Sequence, residues 1–413
     1  MINTINACRI CNSNNLEEVV NLGKQALSGV FPKDINEEVE RFSLILVKCS
    51  DCGLVQLKHS VSQDLLYHDN YGYRSGINST MRNHLASIVK SVESKVNLND
   101  GDYVLDIASN DGTLLNAYKN KNLKRFGVDP SSKQFGEYYE EDIIKIPSFF
   151  NAEVLRPYTK NNKFKVVTSI AVLYDLEKPD NFVESVKNIL DKEGIWVLEQ
   201  SDLGSMIQAN SYDTICHEHL EYYSITVLKS LLAKHEFVIF DADLNDSNGG
   251  SHRLYVCNKR SSIKINANKV SSLLEKEKKL SLTESVTYHN FMKSCNSEMN
   301  KLKSFIDKET EKGKRIHIYG ASTKGNVLLQ YCYFNSSQIE MAAERNPRKS
   351  GCFTPGTKIP INSEEISRNK KPDYYLVLPW HFKKEFIIRE AEFLRKGGAL
   401  IFPLPKFEIF LND

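Results

Sequence analysis

Residues 83–96 place Leu85, Ile88, Val89 and Val92 at helical spacing, and beyond them apolar runs of strand length alternate with helix-like stretches. The runs fall at 103–107, 125–128, 142–146, 164–170 and 194–199. Strands buried on both faces read as continuous apolar runs, so this alternation predicts an α/β fold with a central doubly wound parallel sheet. Ahead of it, 42–47 and 54–57 read as short strands in an irregular segment. Behind it, 269–311, with Leu273, Leu274 and Leu280, reads as one long charged helix connecting two domains. A second alternating region follows, with strand-like runs beginning at Ile316 and at 339–342, 374–378 and 399–402. It predicts another small α/β domain.

At 413 residues the chain exceeds what one core usually serves, so two or three domains are expected. Lys plus Arg number 54 against 52 for Asp plus Glu, so no global basic field would recruit nucleic acid or an anionic membrane. An anionic ligand must therefore be met locally. Residues 1–7 are polar, and no stretch approaches the twenty or so apolar residues that span a bilayer. The cytoplasm is the expected location.

Nine cysteines change the picture at the amino end. Cys8/Cys11 and Cys49/Cys52 form two Cys-x-x-Cys pairs, and each short turn can aim two sulfurs at one ion. Four such ligands close a tetrahedron and leave no position for water, which makes the expected Zn²⁺ structural. Four free thiols or two disulfides are the alternatives.

Candidate chemistry begins at Val104-Leu-Asp-Ile-Ala-Ser-Asn-Asp-Gly-Thr113, a strand running into a tight turn at the carboxyl end of a sheet, where open α/β folds bind ligands. Asp106, Ala108, Asn110, Asp111 and Gly112 are the candidate cofactor residues of this turn. Asp129, followed by Pro130, ends the next strand, where a carboxylate can accept both hydroxyls of a ribose. Ala108 stands where a dinucleotide fingerprint has a glycine, and acids crowd the turn. That is poor for pyrophosphate and acceptable for a cationic sulfonium, so S-adenosylmethionine fits better than NAD.

The densest polar cluster is 210–224, which contains His217-Glu-His219 and Tyr222. A neutral imidazole can remove a proton near neutral pH, and a neighbouring carboxylate can tune it, which makes His219 with Glu218 the candidate base. A metal bound by His217 and His219 is the alternative. Further on, Gly320, Ser322, Lys324 and Gly325 present backbone amides and a lysine to an anion at a helix start, with a nucleotide diphosphate the natural candidate. Asn248-Gly-Gly-Ser-His-Arg253 could let backbone approach a sugar or simply make a hairpin turn.

The order of these motifs resembles the sugar-nucleotide C-methyltransferases that build branched-chain deoxysugars. The resemblance spans nearly the whole chain. Besides the cysteines, it rests on Tyr71-Gly-Tyr-Arg-Ser75, Ser109-Asn-Asp-Gly-Thr-Leu-Leu115, Asp129-Pro-Ser131, Asp213-Thr-Ile-Cys-His-Glu-His219, Asn248-Gly-Gly-Ser-His-Arg253, Tyr319-Gly-Ala-Ser-Thr-Lys-Gly-Asn326 and Cys352-Phe-Thr-Pro-Gly-Thr-Lys-Ile-Pro-Ile361. It implies a zinc-binding module over 1–70, a methyltransferase domain using S-adenosylmethionine over 71–265, and a Rossmann-like domain binding nucleotide sugar over 266–413. The reaction implied is methyl transfer to a carbon next to the ketone of a nucleotide-linked keto-sugar, with His219 as base and Glu218 beside it. Tyr71 or Tyr73 matches a tyrosine placed over the sugar, and His217, Tyr222, Asn248, Arg253, Ser322 and Lys324 become substrate-binding candidates. Two positions depart from the family pattern: Cys216 replaces a tyrosine before the His-Glu-His triplet, and Tyr174 replaces a histidine. Tyr174 would then deliver the aromatic hydroxyl. Readings from other classes are a zinc-bearing methyltransferase acting on RNA or protein, and a non-catalytic nucleotide-sugar binder.

Overall fold

The computed structural model of the protein describes residues 2–66 and 73–412. Tyr71 lies outside the described residues. The helix expected near 83–96 runs over Ser79–Lys95, starts at Asn78, whose side chain accepts the Thr80 N–H, and buries Leu85, Ile88, Val89 and Val92. A buried aliphatic side chain contributes about 1.5–3 kcal/mol. This stripe is therefore enough to hold the helix against the sheet that follows.

That sheet has seven strands in the spatial order Phe237–Asn245, Ser251–Asn258, Leu190–Ser201, Phe164–Ile170, Tyr103–Ile107, Lys124–Val128 and Ile144–Ile146. The last five are parallel, and the first two form an antiparallel hairpin on one edge. Chain direction reverses its progress between Tyr103–Ile107 and Phe164–Ile170, which puts the ligand crevice at their carboxyl ends. The hairpin turns through Asn248, Gly249 and Gly250, with φ of 55°, 90° and 128°. The hairpin reading holds, and the turn also brings Asn248 onto the central cavity.

The second α/β region is a six-stranded sheet ordered Ile361–Ser363, Met341–Glu344, Ile316–Tyr319, Tyr374–Val377, Ala399–Phe402 and Glu408–Phe410. Its first five strands are parallel and the last is antiparallel. The long connector helix is corrected to two helices, Ala267–Lys279 and Ser285–Glu311. Between them Ser281 takes a φ of 50°, the Thr287 hydroxyl donates to its carbonyl at 2.8 Å, and Leu282 turns into the core. Burying that leucine outweighs continuing one helix.

The amino-terminal sheet is antiparallel: Leu16–Ala26, Arg41–Cys49 and Val55–Leu57, with Glu221–Tyr222 from the middle of the chain added on its edge. The strand Leu16–Ala26 went unread in the sequence because its exposed positions carry Glu17, Glu18 and Lys24 and Gly23 interrupts it at φ 76°. Its end is bound to the carboxyl-terminal domain: Gln330 accepts the Ala26 N–H at 2.7 Å and donates to its carbonyl at 3.1 Å, and Asn326 donates to the Ser28 carbonyl at 2.7 Å. Among the described residues no helix is long and apolar enough to cross a membrane.

Candidate active site and zinc centre

One cavity of about 1790 Å³ is lined by all three parts of the molecule, including Gly29, Asp129, His219 and Lys324. At its cofactor end the turn after Tyr103–Ile107 winds through left-handed φ at Ala108, Asn110 and Gly112. Asp129 accepts the Asn110 N–H at 2.9 Å and the Ser131 N–H at 2.6 Å, one on each oxygen. Each oxygen keeps a lone pair, which suits a ribose diol. Asp106 is deeper: Thr168 donates to it at 2.6 Å, and burial raises its carboxyl to about 7, with the Asp129 charge adding to the shift. Ala108, Asn110, Asp129 and Pro130 line the cavity, whereas Asp111 and Gly112 do not.

Asp111 instead clamps the segment that carries Tyr73. It accepts the Gly76 N–H at 2.9 Å and the Thr113 hydroxyl at 2.6 Å, while Asn110 accepts the Ser75 N–H and donates to the Tyr73 carbonyl. Tyr73 lines the cavity, half-exposed.

The segment with the two histidines is strung between two elements. The Leu220 N–H donates to the Tyr174 carbonyl at 2.8 Å, and the Leu220 carbonyl accepts the Leu57 N–H at 2.8 Å. His219 is held from within, its Nδ1 lying 2.8 Å from the Thr214 carbonyl. A carbonyl only accepts, so Nδ1 carries the proton and Nε2 keeps its lone pair. The Tyr174 ring meets the imidazole edge-on, centroids 4.5 Å apart. Burial, and then the Lys324 charge, push His219 down to about 3. Glu218 also lines the cavity, close enough to Gly29 that a Cβ there would lie 2.8 Å from its carboxylate, and burial raises its carboxyl.

Other expected site residues take different places. His217 points to the Phe42 carbonyl, Nε2 at 3.2 Å, and Tyr222 packs in the core; neither lines the large cavity. With His217 committed there, the two histidines do not converge as metal ligands. Arg253 is paired to Glu199, Nε to Oε2 at 2.6 Å, and only the carboxylate lines the cavity. Ser322 lines the cavity and caps the helix Thr323–Tyr331, accepting the Gly325 N–H. Lys324 reaches the cavity and donates to the Asn248 carbonyl at 2.8 Å. Sequence reasoning missed His84, which pairs with Glu199, and His381, which follows the strand Tyr374–Val377. The signal for His381 was its place at the carboxyl end of a parallel strand in the second α/β region.

Cys8, Cys11, Cys49 and Cys52 converge, their sulfurs all within 4.8 Å of one another and two pairs at 3.5 Å. Zn–S bonds near 2.3 Å set sulfurs about 3.8 Å apart in a tetrahedron, so the donor set fits zinc.

Three family models match in succession: "Putative zinc binding domain" over residues 8–67, "Methyltransferase domain" over 77–241, and "C-methyltransferase C-terminal domain" over 246–405. C-methyltransferase NovU of Streptomyces niveus is 28% identical over 409 residues, covering 98% of this chain and 97% of that protein. The three models follow one another over most of the chain, and the protein is an S-adenosylmethionine-dependent C-methyltransferase. Solved structures match over less of it. In a Haloferax volcanii complex of the Trm112 methyltransferase activator with a methyltransferase, the matched chain has 15% identity and a TM-score of 0.36, over 43% of this chain and 92% of that one. Magnesium protoporphyrin IX methyltransferase of Synechocystis PCC 6803, with bound SAH, has 14% identity and a TM-score of 0.34, over 45% and 90%.

The C-methyltransferase uses S-adenosylmethionine, which supplies an electrophilic methyl group, and zinc at its four-cysteine module. Asp129 lines the cavity with a free lone pair on each oxygen. The cysteines would hold zinc far from the reacting groups, on the sheet whose edge strand is Glu221–Tyr222. That sheet also receives Arg9, which donates to the Leu57 carbonyl at 2.8 Å and faces Glu221 at 3.6 Å.

Proposed function

We propose that this C-methyltransferase acts on a nucleotide-linked keto-sugar, methylating a carbon next to the ketone through an enolate. The observation that carries this reading is the Nδ1–H tautomer of His219, which leaves Nε2 as a proton acceptor on the cavity that Asp129 also lines. A C–H bond becomes acidic enough for an imidazole only beside a carbonyl, and a neutral imidazole is the base such chemistry needs. The substrate's anionic end has partners as well. Lys33, Arg345, Arg348, Lys349 and Arg389 all line the same cavity, and Lys349 donates to the Ala321 carbonyl beside the Gly320 turn. This suits a diphosphate at the carboxyl ends of the second parallel sheet.

In this reading Tyr73 and Tyr174 flank the sugar, Glu218 stands beside the base, and proximity of the two ligands supplies much of the rate. The domains divide as zinc module, methyltransferase and nucleotide-sugar domain, near residues 70 and 265. The test is incubation with isotopically labelled S-adenosylmethionine and a panel of 4-keto-6-deoxy nucleotide sugars in deuterated water, read by mass. Methyl and solvent deuterium should both enter one accepted sugar. No methylation of any keto-sugar, with methylation of an RNA or protein acceptor instead, would reverse the reading.

A further inference from the structure

His381 sits in the short turn Trp380–Phe382, on a seam between the two α/β domains. Across that seam the Trp380 indole packs on Gly249, where a Cβ would come within 2.9 Å of the ring, and donates to Asp213 at 2.8 Å. Lys324 crosses the same seam to the Asn248 carbonyl. Lys324, His381 and His219 all line the cavity, and among the described residues no hydrogen-bond partner is found for either ring nitrogen of His381. The second oxygen of Asp213 is buried and unpartnered; burial raises its carboxyl, and the Lys324 charge opposes that shift.

We infer that Lys324 and His381 form the oxyanion site of the reaction, the lysine ammonium and an imidazole N–H donating to the ketone oxygen while His219 takes the neighbouring proton. This rests on the keto-sugar reading above. The carbon that loses its proton and the oxygen that gains charge are only two bonds apart, so the donors must sit beside the base. Lys324 meets that requirement: it lines the cavity with both imidazoles and is anchored on the Asn248 carbonyl, and although burial lowers its ammonium, the Asp213 charge opposes that shift. Other cations line the cavity, Lys33, Arg348 and Lys349 among them, so a diphosphate has partners without Lys324.

The step balances. His219 Nε2 bonds to the proton, the C–H pair becomes the carbon–carbon double bond of the enolate, and the carbonyl π pair moves onto oxygen under the two donors. The enolate carbon then takes the methyl group, the carbon–sulfur pair remains on sulfur, and His219 returns its proton to solvent.

The experiment measures deuterium wash-in from solvent into the accepted keto-sugar nucleotide, with S-adenosylhomocysteine replacing the methyl donor, for the full-length protein. Wild type must exchange one position; failure there defeats the keto-sugar reading itself. Lys324→Met and His381→Phe are each expected to slow exchange roughly a hundredfold, the loss typical of one oxyanion donor. His381→Asn, which keeps an N–H, should recover to within about tenfold of wild type. Affinity for the free nucleoside diphosphate of that substrate should change less than about twofold in all three. Near-native exchange in Lys324→Met and His381→Phe overturns the inference while leaving the keto-sugar reading in place. So does a tenfold or larger loss of nucleoside diphosphate affinity in Lys324→Met with native exchange at saturation, which would make the lysine a phosphate holder. Unchanged melting and S-adenosylmethionine binding verify each fold, and should Lys324→Met not fold, the His381 pair decides alone.

Discussion

The backbone N–H of Leu57 donates to the carbonyl of Leu220, so the zinc module and the residue after His219 share one hydrogen bond of 2.8 Å. Leu57 lies on the strand that follows Cys52, and Leu220 is held on its other side by Tyr174. The four-cysteine module thereby shares a sheet edge with the residue that follows His219.

Loss of zinc should therefore reach catalysis without reaching the cofactor. Cys49→Ala is expected to take zinc content from one ion per chain to near none and to slow methyl transfer by at least about tenfold, equivalent to 1.4 kcal/mol. S-adenosylmethionine affinity should stay within about threefold. Metal analysis, calorimetry and turnover on one preparation check this. Full turnover from zinc-free protein would separate the module from the site.

The cofactor end makes a cleaner contrast. Asp129→Ala removes a carboxylate with a free lone pair on each oxygen, and hydrogen bonds to a charged group contribute about 1.5–3 kcal/mol. A weakening of S-adenosylmethionine binding by roughly 10- to 100-fold is expected, with nucleotide binding unchanged. Asp111→Asn, by contrast, leaves the cavity lining intact and loosens the Gly76 and Thr113 contacts. It should lower the melting temperature and raise the KM for the sugar through Tyr73, while cofactor affinity holds.

How far the sequence reached follows from which interactions are local. Strands 164–170 and 399–402 were legible to the residue: burial on both faces writes the second as an uninterrupted apolar run and the first as a mainly apolar one broken by Lys165, Thr168 and Ser169. The four cysteines were legible because turn geometry fixes their spacing. That Asp111 bonds to the neighbouring segment and does not line the cavity was not legible, because a carboxylate in a turn looks the same in either role. Lys324 belonged to an anion-binding pattern, yet the contact that decides its direction, to Asn248, spans 76 residues of sequence. The helix break at Ser281 depended on a leucine pocket supplied by another part of the chain.

Tyr174 tests the departure from the family pattern. Its ring leans edge-on against His219, and it is buried beside the cavity. Tyr174→Phe keeps that packing and removes the hydroxyl. If the hydroxyl meets the sugar or the enolate, turnover should fall by about tenfold or more, the scale of one lost hydrogen bond of about 1.4 kcal/mol. Cofactor affinity should change less than about twofold. Normal turnover in this variant would leave Tyr174 as a packing residue.

Acid should act on stability and on catalysis in different windows. Burial holds His217 near about 4, and burial together with Lys324 holds His219 and His381 near about 3, while an imidazole in the unfolded chain titrates near 6.5. Between those values the unfolded chain binds the extra proton, so stability rises with pH across the window and is lost as pH falls from 6.5 towards 3 or 4. Each histidine adds up to about 1.4 kcal/mol per pH unit. Glu221, whose carboxyl burial raises well above its usual range, works in the opposite sense, so the total slope is not the useful quantity. The useful quantity is the difference made by one residue outside the cavity. His217→Phe, packed against Phe42, should shrink the stability lost between pH 6.5 and pH 5 by about 1.6 kcal/mol, measured by denaturant melts at both values. Catalysis obeys the other limit. His219 is already neutral throughout that range, so kcat/KM should show no acid limb from it between pH 5 and 7, and an acid limb that appears there in wild type and vanishes in a His219 variant would place its proton affinity far above what this burial allows.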